Sequence, residues 1–111
     1  WIPGDRKGFV IYKPEEQMAN SEESARLGEN IFLQLKKKYI TSNYEKELGG
    51  LIPDQKLIAL GANDTLLPSV RSVLIEYGYI YRFRNSVNRH KSYDTMAKFT
   101  ALGIQNYFFG K

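Results

Sequence analysis

Two hydrophobic periods alternate along this chain. The apolar run Gly8, Phe9, Val10, Ile11 and Tyr12 predicts a short strand in which Phe9 and Ile11 oppose Val10 and Tyr12, ended by Lys13 and Pro14. Leu27, Ile31, Leu35 and Tyr39 then recur every four residues, with Phe32 beside them, and predict a helix over 21–40. Asn20 and Glu23 are spaced like a capping box for it. The stretch 41–50 is polar and reads as a connector with room for one helical turn. A second helix is expected over 53–60, opened by Pro53 and Asp54 and stopped at Gly61, with Leu57, Ile58 and Leu60 as its apolar side. Val70, Val73, Leu74 and Tyr77 fall at i, i+3, i+4 and i+7, which predicts a third helix ended by Gly78. Its start stays open: a cap near Thr65, or Pro68 itself. Period two returns at 79–84, where Tyr79, Tyr81 and Phe83 oppose Ile80, Arg82 and Arg84. The stretch 85–94 has no apolar pattern and reads as a loop. A short helix through Met96, Phe99 and Leu102, closed by Gly103, and a last strand over 104–109 complete the chain.

Helix, glycine turn, helix, glycine and strand in that order resemble a winged helix-turn-helix. The nearest resemblance is to the GntR-type regulators, carried by Ile52 and Pro53, by Gly61, and by Gly78 before Tyr79 and Ile80. The resemblance covers about a third of the chain. It implies an α+β fold in which a three-helix core carries a small antiparallel sheet. It also implies double-stranded DNA as partner, as in a transcription or replication regulator. The inward positions of the third helix leave Ser69, Arg71 and Ser72 to read bases or sugar-phosphate. Arg82, Arg84, Arg89, His90 and Lys91 would hold phosphates from the wing.

Composition changes this picture in one respect. At 111 residues, 42% hydrophobic and 25% charged, the chain is expected to be one domain over 1–111 with one core. It begins with Trp1 and not Met, so it is expected to be part of a longer protein. There is no cysteine and no apolar run long enough to span a bilayer, so an intracellular location, cytoplasmic or nuclear, with no membrane partner is the expectation. Charge is uneven. Residues 1–50 hold eight basic and eight acidic side chains, whereas 51–111 hold eight and four. Within 82–111 six basic residues face Asp94 alone, the footprint of a phosphate-rich partner.

Catalytic and metal chemistry are not expected. His90 is the sole histidine, and no carboxylates cluster around it at ligand spacing. His90, Lys91 and Tyr93 lack the second histidine or nearby glutamate that acid–base cleavage of RNA would use. No cofactor motif is present. Two other readings accompany DNA binding. One is a protein-interaction or dimerisation module, with Tyr107, Phe108 and Phe109 meeting a second copy or another protein. The other is a single-strand or RNA binder stacking bases on Tyr79, Tyr81 and Phe83.

Overall fold

Aromatic and β-branched residues at 9–12 favour a pleated, half-buried backbone, and strand β1 runs Val10–Pro14. The computed structural model of the chain describes residues 5–54, 56–83 and 86–110. Helix α1, Ser21–Leu35, follows β1 with Glu22 and Glu23 in its first turn, where the helix dipole favours acidic groups. The chain returns through a 3-10 turn at Glu45–Glu47 into β2, Leu51–Asp54, which pairs parallel with β1. Strand β3, Leu74–Glu76, pairs antiparallel on the other side, so the order is β2-β1-β3. Pro53 sits in β2, an outer strand, where a missing N–H is tolerated. A 3-10 turn at Ile80–Phe83 then leads into the long helix α2, Ser86–Phe109.

The core lies between one sheet face and the helices. Phe9, Ile11, Ile31 and Leu35 form its buried centre, with Leu51, Val73, Ile75, Tyr77 and Phe99 packed around them. Register places Val10, Tyr12, Leu74 and Glu76 on the opposite face, since Val10 pairs with Glu76 and Tyr12 with Leu74. Neither helix covers that second face. Helix α2 packs along α1, and Gly103 is their point of closest approach. A Cβ built there would lie 2.5 Å from the Ile31 Cα. Gly103→Ala should therefore cost about 1–3 kcal/mol, as overpacking usually does, read as a lowered denaturation midpoint. A second tie, one turn further along α2, joins its last turn to the first turn of α1. The Tyr107 hydroxyl donates to Glu23 Oε1 at 2.6 Å and accepts from Arg71 Nε at 2.6 Å.

These facts correct the sequence reading. The fold is α+β, but it is not a winged helix-turn-helix with a three-helix core: the described residues hold two α-helices and a mixed sheet of three strands. Helix 21–40 stops at Leu35. The expected helix 53–60 is the end of β2 followed by a 3-10 turn at Ile58–Leu60. The expected recognition helix is absent. Its segment is irregular and then enters β3, and Val70 is exposed at 37%. Val73, Ile75 and Tyr77 face the core with period two, a pattern that β-branched residues favour. The presumed first wing strand is the 3-10 turn at Ile80–Phe83, and the presumed wing tip from 86 onward, together with the last strand, lies within α2.

Candidate functional site

The expected DNA-reading residues do not gather on one surface. Ser69 and Arg71 are exposed, and Ser72 is half-buried, in the irregular segment before β3. There they tie the chain together. Arg71 donates to Tyr107 and to the Ser69 carbonyl, while the Ser72 amide donates to Ser24 Oγ at 2.9 Å. Arg82 donates to the Arg6 carbonyl at 3.1 Å. Arg84 lies outside the described residues, as does the side chain of Tyr81. Arg89, His90 and Lys91 stand together in the first turns of α2, His90 and Lys91 exposed and Arg89 half-buried. Tyr107, to which Arg71 is bonded, is seventeen residues further along that helix, about 25 Å at 1.5 Å per residue. Tyr79 and Phe83 are each half-buried and lie outside any strand. Of the expected apolar contact surface, Tyr107 is buried at 8%, whereas Phe108 and Phe109 are exposed.

A different cluster stands at the start of β1 and the end of β3. Gly8, Val10, Glu47, Glu76, Gly78 and Tyr79 line a pocket of about 390 Å³ there. Each element contributes for a local reason. Glu76 is the last residue of β3 and projects from the second sheet face beside Val10, which is itself buried. Glu47 closes the 3-10 turn that leads into β2, and this brings it to the same end of the sheet.

The two carboxylates live in unlike environments. Glu47 is buried and satisfied by three hydroxyls: Tyr12 donates to Oε2, Ser42 donates to Oε1 at 2.8 Å, and Tyr79 reaches Oε1 at 3.5 Å. Desolvation, and then the bond to Glu47, pushes the Tyr12 phenol well above its usual range, so it stays a donor. Glu76 is more open to solvent. Partial burial, and after it the repulsion of Glu47, raises the Glu76 carboxyl above the usual carboxylate range. One acid is thus pinned as an acceptor, and its neighbour is tuned toward holding a proton.

The sequence reading passed over this pair because Glu47 and Glu76 are far apart in the chain and follow no motif spacing. One signal was present: Glu76 is a lone charge in the apolar run Val73, Leu74, Ile75 and Tyr77. Among the described residues no three His, Cys, Asp or Glu gather closely enough to hold a metal ion. No helix there is long and apolar enough to cross a membrane. Comparison with protein-family models, with curated proteins and with solved structures finds no match to this chain.

Proposed function

We propose that the pocket around Glu76 is the general acid–base site of a hydrolase. The observation that carries this is the unequal carboxylate pair: Glu47 is held by three hydroxyls, while Glu76 beside it in the same pocket is raised above the ordinary carboxylate value by burial and by Glu47. A shifted acid next to a fixed one, in a pocket, is the arrangement proton transfer uses. Glu76 Oε takes a proton from a water as that water's oxygen bonds to the carbonyl carbon of an ester or amide. The same carboxyl then returns the proton to the leaving group as its bond breaks. Glu47 fixes the hydroxyls of Tyr12, Ser42 and Tyr79, and its charge helps to keep the neighbouring Glu76 basic enough to take that proton. This reading departs from the sequence expectation of a non-enzyme. It is tested by assaying the full chain on chromogenic esters and anilides, wild type beside Glu76→Gln. Turnover that Glu76→Gln abolishes supports the reading; turnover that survives it, or none on any class, contradicts it.

A second reading keeps DNA as the partner without a recognition helix. The cations Arg89, His90, Lys91 and Lys98 lie along α2, whose first turn carries no acidic residue. The positive end of the helix dipole and these side chains favour a phosphate backbone. On this reading Arg89 and Lys91 replaced by Ala lower affinity for all duplexes alike, and the log–log salt slope becomes shallower by about one unit per lost contact. Fluorescence anisotropy across a salt series measures it, and an unchanged slope counts against it. Phe108 and Phe109, at 64% and 71% exposure, would supply the apolar contact to a second copy or another protein.

A further inference from the structure

The carboxylate pocket does not end at Gly78. Beyond that residue lies a cleft of about 460 Å³, lined by Tyr77, Gly78, Phe83, Tyr93, Met96 and Ala97. A narrower recess between them shares Gly8, Gly78 and Tyr79 with the carboxylate pocket and Tyr77, Phe83 and Met96 with the cleft. Gly78 lines all three, just past the end of β3, where the carboxylate pocket on one sheet face adjoins the cleft on the helix side. A Cβ at Gly78 would stand 3.2 Å from the Phe83 ring, so a side chain there would crowd that junction.

The pocket and the cleft differ in chemistry. Among the described residues no charged side chain lines the cleft. The Phe83 and Tyr93 rings meet at 5.5 Å in a tilted pair. The Tyr77 hydroxyl is engaged with Thr100 Oγ1 at 2.8 Å, so its ring and not its polar end is offered to the cleft. Met96 adds a polarizable thioether that adapts to irregular apolar shapes. Aromatic faces and a methionine beside two carboxylates fit a ligand with an uncharged aromatic or aliphatic group close to its reacting bond.

We infer that this cleft is a specificity subsite: it holds an uncharged aromatic or aliphatic side group of the substrate while the scissile bond lies at Glu76. The inference rests on the acid–base reading for the word substrate, but the subsite can be tested without turnover. The chain has two methionines, Met18 and Met96, and Met18 lies in the turn before α1, away from the cleft. With ¹³C-methyl methionine, N-acetylphenylalanine amide should shift the Met96 signal and leave Met18 in place. N-acetylglycine amide should shift neither. Tyr93→Ser, at a half-exposed position, should weaken binding of the phenylalanine probe by about fivefold or more, the scale expected for losing one apolar wall. Glu76→Gln should bind the probe as wild type does. Binding retained in Glu76→Gln, with no bond class turned over by wild type, would sink the acid–base reading and leave the subsite standing. No Met96 shift up to the probe's solubility, equal shifts with both amides, or binding unchanged in Tyr93→Ser would overturn the subsite.

Discussion

Ile31→Ala should destabilise the chain by about 2–5 kcal/mol, the usual cost of emptying a large aliphatic site in a packed core. Ile31 is 1% exposed and sits in the central cluster with Phe9, Ile11 and Leu35. It also lies under Gly103, where the backbones of α1 and α2 come closest. The space left by the lost side chain is thus bordered by the other buried members of the cluster and by closely packed helices. Leu74→Ala is the matched control. Leu74 is half-buried on the sheet face away from the helices, paired with Tyr12, so its loss should cost only about 1 kcal/mol, roughly half the burial value of a full leucine side chain. Urea denaturation of the two variants measures the difference. Equal losses would mean that β3 presents Leu74 and not Ile75 to the helices.

The largest kinetic effect is expected at Glu76. Removing a general acid–base group usually costs about a hundredfold to ten-thousandfold in rate, and Glu76→Gln should fall in that range on any substrate the chain turns over. The same substitution should help the fold. Burial and then Glu47 hold the Glu76 carboxyl above its usual range, so the folded chain binds that proton more tightly than the unfolded chain does. The group is harmless below the ordinary carboxylate value. It destabilises progressively as pH rises from that value through the raised folded one. Glu76→Gln should therefore raise the melting temperature at neutral pH and leave it nearly unchanged at about pH 3.5. Loss of rate joined to a gain in stability marks a residue retained for chemistry; a merely structural glutamate would lose stability instead. Thermal scans at the two pH values decide it.

The legible parts of the fold were those with one unambiguous period. Leu27, Ile31 and Leu35 announce α1, and the run at 9–12 announces β1. The stretch 70–77 was misread because Val70, Val73, Leu74 and Tyr77 satisfy a helical stripe while Val73, Ile75 and Tyr77 satisfy a strand equally well. Tertiary pairing with β1 decided between them, and periodicity alone cannot register a partner strand. Gly103 misled in another way. A glycine inside a helix usually costs about 1 kcal/mol, so it reads as a stop, yet here it lets α2 lie against Ile31. The first turns of α2 carry polar residues such as Arg89, His90 and Lys91, so no apolar stripe marked them as helical. The candidate site was hidden for a topological reason. Glu47 and Glu76 line one pocket because the turn that leads into β2 and the end of β3 both lie at the start of β1.

The account turns on whether Glu76 and Glu47 feel each other, and a side-chain ¹³C NMR titration of Glu76 answers that most directly. The arrangement predicts a Glu76 midpoint above the ordinary glutamate value of about 4.3. It also predicts that Glu47→Gln lowers that midpoint part of the way back, because burial remains when the neighbouring charge is gone. A midpoint at or below the ordinary value in wild type, or one that Glu47→Gln leaves unmoved, would contradict the acid–base site.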